Sequence, residues 1–267
     1  MGRSAAAAGA VGQRKLAGSS LNPPTMTDSI RLAKRVAELR ACSRREAEQI
    51  IFGGWVRVDG IVIEEPQFRV TDQHIEIDPQ ANPTQTEPVT LLLHKPPGYH
   101  TIQADSGQPA AQLLGAATLW AEDASGIRPL KMHFAQLTAC VPLETGAGGL
   151  VVFTQDWRVA RKLTEDAATL EHEVVVEVAG ELAPNGLKRL NQGTLFNGRT
   201  PPAIKVSWQN ENRLRVALKG AQLGQIAHMC EAVGLQVLSL KRIRLGSVPL
   251  GKLPPGQWRY LRGDERF

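Results

Sequence analysis

The period of the apolar positions changes along the first unit of the chain. Ile30, Leu32, Val36 and Leu39 recur at near-helical spacing. Ala47, Ile50 and Ile51 supply the apolar face of a second helix. Its start is marked by Ser43 and Glu46, an S-x-x-E capping box in which each side chain satisfies an orphan backbone N–H. Gly53-Gly54 predicts the end of that helix, because glycine tolerates the left-handed conformation of a C-cap. From Trp55 the period falls to two. Trp55-Val56-Arg57-Val58 alternates, Asp59-Gly60 predicts a type I′ hairpin turn, and Ile61-Val62-Ile63 returns. A last short strand is predicted around His74 to Ile77, which closes a compact unit over residues 28–78.

Pro79, Asn82, Pro83, Thr84 and Pro88 mark residues 79–88 as a linker. Beyond it the pattern predicts strands at Val89–His94, Gly149–Phe153, Glu173–Val178, Ala203–Trp208, Arg213–Leu218 and Leu235–Arg244. Helices are predicted at 157–169, 184–191 and 222–233. Their irregular order predicts an α+β protein whose larger part is a mixed, mainly antiparallel sheet. Residues 1–27, with Ala5 to Ala8 and Pro23-Pro24, are of low complexity and are expected to form a disordered leader. The stretch from Ala5 to Val11 is too short and too weakly apolar for a secretory core.

Composition narrows the function classes. The chain has 267 residues, and no apolar run approaches the roughly 18–20 residues that span a bilayer, so a cytoplasmic protein without a membrane partner is expected. Aromatic residues make up 5%, which argues against a stacking-rich single-strand binder. Cys42, Cys140 and Cys230 form no C-x-x-C pair and the six histidines no H-E-x-x-H, so no metal site and no cofactor is expected. Gly146-Ala147-Gly148-Gly149 lacks the G-K-[ST] of a phosphate loop. His133 and His228 fit core or helix-face positions. Nothing signals oligomerisation, and a monomer is expected.

The net charge of +5 is mild, but its distribution is not. Residues 31–50 hold Arg31, Lys34, Arg35, Arg40, Arg44 and Arg45 against three acids. Arg44 and Arg45 fall on the first turn of a helix, where a cation opposes the helix dipole. Two readings of that placement stand: a solvated basic face, or an external anion, because a guanidinium fork and free backbone N–H groups together bind phosphate. The order Arg31-Leu32-x-Lys34, Cys42-Ser43-Arg44-Arg45-Glu46-Ala47 and Val56-x-Val58-Asp59-Gly60 resembles the small RNA-binding domain of ribosomal protein S4. The resemblance implies structured RNA as partner, ribosomal RNA in particular, faced by Arg31, Lys34, Arg35, Ser43, Arg44 and Arg45.

Residues 89–263 resemble the bacterial ribosomal-RNA pseudouridine synthases that carry this same small domain. His94-Lys95-Pro96-Pro97-Gly98 matches the family's K-P-x-G. Leu143-Glu144-x-x-Ala147-x-Gly149-Leu150-Val151-Val152-Phe153-Thr154-Gln155-Asp156 parallels G-R-L-D-x-x-T-x-G-L-L-x-L-T-N-D. Glu171-x-Glu173-x-x-Val176-x-Val178 parallels E-K-x-Y-x-V-x-V, and Gln225-Ile226-x-x-Met229 parallels R-Q-[IV]-R-R-M. Leu240-x-Arg242-Ile243-Arg244-Leu245-Gly246 and Leu253-x-x-Gly256-x-Trp258-Arg259-x-Leu261 match the family's C-terminal end.

The resemblance implies a flipped-out uridine, an essential carboxylate that assists cleavage of the glycosidic bond, and rejoining of the base through carbon, with no cofactor. The family's aspartate position holds Glu144, its preceding Gly-Arg is Val141-Pro142, and its base-packing tyrosine is Val174. The arginines around Q-[IV]-R-R-M, one of which pairs with the carboxylate, become Gly224, Ala227 and His228. Residues 241–266 hold seven basic residues against two acids. Arg242 and Arg244 alternate on a strand and are expected to line one face as an RNA track. Lys95 is placed at a strand end, either touching RNA or solvated. Two readings therefore stand: a synthase with Glu144 in the carboxylate role, or a catalytically silent relative that binds RNA. A protein-interaction module that keeps only the fold is a third.

Overall fold

The structure, a computed structural model, describes residues 29–83, 87–102, 106–198 and 204–267. The leader, the middle of the linker and the start of the strand expected at Ala203 lie outside the described residues. The first unit runs β1 (Ile30–Arg31), α1 (Leu32–Arg40), α2 (Arg44–Phe52), β2 (Val56–Val58), β3 (Ile61–Val62), β4 (Arg69–Val70) and β5 (Ile75–Ile77). Leu32, Ala33 and Val36 of α1 pack on Ala47, Ile50 and Ile51 of α2, over Val56, Val58 and Val70. Leu39 does not join them: it is 51% exposed at the helix end.

The capping box forms as expected. Ser43 Oγ accepts from Glu46 N at 3.2 Å, and Ser43 N donates to Glu46 Oε2 at 2.8 Å. Caps of this kind contribute on the order of 1 kcal/mol. Asp59 (φ 49°) and Gly60 (φ 81°) form the type I′ turn between β2 and β3. The helix end differs from expectation, since Gly53 stays right-handed (φ −70°) and Gly54 takes the positive φ, at 67°. A Cβ on Gly54 would lie 2.0 Å from Nη2 of Arg128. That guanidinium donates to the Gly54 carbonyl at 2.8 Å, at the negative end of α2. Lys131 pairs with Glu65, and its backbone N–H donates to Glu64 Oε2 at 2.7 Å. These contacts join the first unit to the second.

The second unit continues with β6 (Thr90–Lys95), β7 (Tyr99–His100), β8 (Gln108–Pro109), β9 (Thr138–Cys140), β10 (Gly148–Thr154), α3 (Trp157–Glu165), β11 (Glu171–Gly180) and α4 (Gly186–Gln192). Then come β12 (Lys205–Asn210), β13 (Arg213–Lys219), α5 (Gln225–Glu231), β14 (Leu235–Leu245), β15 (Val248–Pro249) and β16 (Trp258–Tyr260). Among the described residues a nine-stranded sheet runs β12-β13-β11-β14-β10-β6-β16, with β9 also paired to β10 and β15 to β14. Every pairing in it is antiparallel except β10 with β14. That parallel contact is short, Gly148 opposite Lys241 and Gly149 opposite Arg242. Gly149 (φ 112°) permits it, because a Cβ there would sit 2.3 Å from the Arg242 carbonyl oxygen.

β6 and β10 are buried along their whole length. They divide two cores, one around Trp258 and Tyr260 and one around Leu163 and Leu245. A third core lies under α4 and α5 on the β12-β13-β11-β14 half.

Candidate RNA interface and catalytic pocket

The first unit places its predicted cations on the surface. Arg31, Lys34, Arg35, Ser43, Arg44 and Arg45 are all exposed. Arg31, Lys34 and Arg44 line an open groove of about 680 Å³ together with Arg69. Arg35 and Arg45 lie outside its lining; Arg35 pairs with Glu38 at 3.5 Å. Arg69 escaped the sequence reading because β4 is only two residues long and shows no period. Pairing with β1 sets it opposite Arg31. The Ser43 oxygen accepts the capping bond from Glu46 N, which leaves its hydroxyl hydrogen and one lone pair for another partner.

Three predictions for the second unit need correction. Lys95 is not at a solvated strand tip: it is 0% exposed, with no surface offered to a partner. Its ammonium lies within hydrogen-bond distance of four carbonyls, those of Tyr99 (2.7 Å) and Ala147 (2.5 Å) and, at longer range, Pro96 and Thr145, which share its three N–H groups. Burial pushes its pKa down to about 8, against the pull of the Glu144 charge. Arg242 is equally inaccessible. Its guanidinium donates to the carbonyls of Leu150 (2.7 Å), Val141 (2.7 Å) and Pro142 (3.4 Å). Burial lowers its pKa to about 9, again opposed by Glu144. The two cations thus hold the loop 141–147 from both ends.

Arg242 and Arg244 do not share a face. Arg242 pairs with Val174 in the ladder and Arg244 with Glu173, across a register shift that leaves Ile243 as the extra residue. Adjacent residues of β11 point to opposite faces, so the bulge sends the two arginines apart. Arg244 donates to Glu173 Oε2 at 2.7 Å and pairs with Glu171. The basic C-terminal stretch is also less free than its composition implied. Arg259 makes a two-pronged contact with buried Glu265 at 2.7 and 2.8 Å, and Arg262 pairs with Asp264.

Glu144 stands at a small pocket walled by Val141, His172, Val174, Ile226, Leu240 and Arg242. Its Oε1 accepts from Gly224 N at 2.7 Å. Gly224 (φ 79°) precedes α5, so the carboxylate sits against the start of that helix. Among the described residues Glu144 forms no ion pair; Lys95 and Arg242 act on it through their charge, without contact. His172, which the sequence reading passed over, is 3% exposed in this pocket. Burial, and secondarily the Arg242 charge, push its pKa down to about 3, so it is neutral. The cavity measures about 60 Å³. That is under half of the roughly 150 Å³ that admits benzene in a protein core, so a pyrimidine requires the pocket to open. Among the described residues no helix is long and apolar enough to cross a membrane, and no group of His, Cys, Asp or Glu is placed to hold a metal.

An α+β sheet with a carboxylate loop pinned between buried cations, preceded by an exposed basic helix pair, describes an RNA-directed protein of two parts. The family model of the S4 domain matches residues 30–75. An RNA pseudouridine synthase of Mycobacterium tuberculosis is 30% identical, over 88% of this chain and 91% of that one. The ribosomal small subunit pseudouridine synthase A of Escherichia coli is 26% identical, over 88% of this chain and 98% of its own. A crystal structure of a pseudouridylate synthase shares the fold, with a TM-score of 0.55 at 21% identity over 87% of this chain and 96% of that one. The chain belongs to the RNA pseudouridine synthase family and carries an S4 domain at its N-terminal side.

Proposed function

We propose that this protein grips structured RNA, ribosomal RNA above all, through residues 28–78 and isomerises a uridine to pseudouridine in it with residues 89–263. Glu144 serves as the essential carboxylate. In that reaction the N1–C1′ bond breaks, the uracil turns, and a C5–C1′ bond forms. The C5 proton leaves and N1 gains one, so atoms balance without a cofactor.

The observation that carries this reading is the Glu144–Gly224 hydrogen bond. Two departures from the family pattern meet in it. Glutamate is one methylene longer than aspartate, and glycine stands where the pattern has an arginine. The longer acid reaches a backbone N–H in the segment where the family pattern carries the arginines, one of which pairs with its aspartate. Lys95 and Arg242 add positive field from the buried side without neutralising the carboxylate by contact.

The size of the pocket and Val174 in place of an aromatic ring favour a second reading, RNA binding without catalysis. Mapping of pseudouridines in total RNA from cells with and without the gene decides between them. A site that disappears in the deletion and with Glu144→Ala supports catalysis. Glu144→Asp, whose shorter carboxylate falls short of Gly224 N, is expected to retain the site at a rate lower on the order of 10²-fold. No change at any site in the deletion strain establishes the silent reading.

A further inference from the structure

The β12-β13-β11-β14 half of the sheet has two faces of opposite character. Val206, Val216, Val174 and Leu214 turn toward α4 and α5 and form the core there. The other face can be traced row by row from the registers. Lys205, Ala217, Glu173 and Arg244 stand side by side across the four strands; the next row is Ser207, Arg215, Val175 and Lys241. Arg213, Glu177 and Ser239 form a third, and Lys219 lies beside Glu171. Contacts confirm the shared face: Ser239 Oγ donates to Glu177 Oε2 at 3.1 Å, and Arg215 pairs with Glu173.

Six cations on this face meet three carboxylates. Glu173, with 8% of its side chain exposed, is taken by both Arg215 and Arg244. Lys205, Lys219 and Lys241 are exposed and make no ion pair among the described residues. The catalytic pocket opens among Val174, Leu240 and Arg242, on the opposite side of the sheet.

We propose that this basic sheet face is a second RNA contact, which takes the phosphate backbone of a duplex arm other than the one presenting the uridine. Three features select that occupant. Same-face residues lie about 6.8 Å apart along a strand and strands about 4.8 Å apart, so the cations spread over a patch too wide for one small anion. A protein partner would need an apolar centre, and among the described residues of these rows the apolar ones are Val175 and Ala217, each half-buried among the charges. Protein–nucleic acid interfaces are by contrast polar and strongly positive. The inference rests on the RNA-binding reading above.

The test is the salt dependence of binding to a labelled three-way-junction RNA and to a single stem-loop. Lys205→Ala/Lys219→Ala/Lys241→Ala removes three cations that no ion pair holds, so the fold survives, which far-ultraviolet circular dichroism verifies. On the junction, the slope of log K against log salt is expected to fall by about two to three, with affinity lower on the order of tenfold. The stem-loop, gripped by the first unit alone, is expected to lose less. A wild-type slope on the junction overturns the proposal and leaves the face to an acidic protein surface. If that wild-type slope accompanies loss of binding by Arg44→Ala/Arg45→Ala, the first-unit interface stands and only the sheet face fails. If the unsubstituted protein binds neither RNA, the RNA-binding reading itself fails.

Discussion

The cations of the first unit and those around Glu144 are the same residue types put to opposite uses. Arg31, Lys34, Arg44 and Arg69 surround an open groove and are exposed. Lys95 and Arg242 are sealed, 0% and 1% exposed, and their hydrogen bonds go to backbone carbonyls. An exposed cation acts on whatever anion arrives and contributes little to the fold. A buried one is costly to place, and its carbonyl partners are the reason it stays. The difference separates recognition from positioning: the first group can touch RNA, whereas the second can only shape the loop that bears the carboxylate.

The largest expected effect attacks the buried side of that contrast. Lys95→Met keeps the length of the stem and removes the ammonium from four carbonyls. We expect a loss of about 3 kcal/mol in chemical denaturation, the cost of leaving buried polar groups unpaired. Arg44→Ala, on the exposed side, should leave the denaturation midpoint unchanged. Equal midpoints for the two variants would break the distinction.

The pocket offers a second measurement of how sealed it is. His172 has its folded pKa pushed down to about 3 from an ordinary 6.5. Between those values the unfolded chain binds a proton that the native chain does not, so stability falls as pH drops below 6.5. From pH 7 to pH 5 this one group is expected to remove about 2 kcal/mol. His172→Leu should flatten the acid limb of stability against pH by that amount. An unaltered limb would show that water reaches the ring and that the pocket is already open.

Legibility in the sequence followed the same divide. The S-x-x-E box, the Asp59-Gly60 turn and the exposed cations of the first unit are local signals, and the structure reproduces them. The principal strands of the sheet were likewise visible as apolar runs. Charge alone could not show which cations are buried. Lys95 and Arg242 read as RNA contacts because a basic residue at a strand end or on an alternating strand looks exposed; all the carbonyls that hold Arg242, and two of those around Lys95, come from residues about 50 to 100 positions away. The bulge at Ile243 has no signature in one strand, since it exists only in the pairing with β11. β16 was missed because three residues are too few to show a period, although it closes the core with Trp258 and Tyr260. The link between Glu144 and Gly224, 80 positions apart, is tertiary in the same sense.

The smallest effect tests the exposed side directly. Arg44 and Arg45 occupy the first two positions of α2, where the helix dipole disfavours them and a phosphate would offset it. Arg44 also has an internal partner, Glu48 at 3.1 Å, which competes with any phosphate. Arg45 has no ion pair among the described residues, so it should be the stronger contact of the two. We expect Arg45→Ala to lower the salt slope for a stem-loop RNA by about one, and Arg44→Ala by less than that. Glu48→Gln, which frees Arg44 without altering the groove's cations, should raise affinity slightly. If Arg44→Ala matches or exceeds Arg45→Ala, the ion pair with Glu48 does not persist in solution, and the groove is more open to phosphate than its contacts indicate.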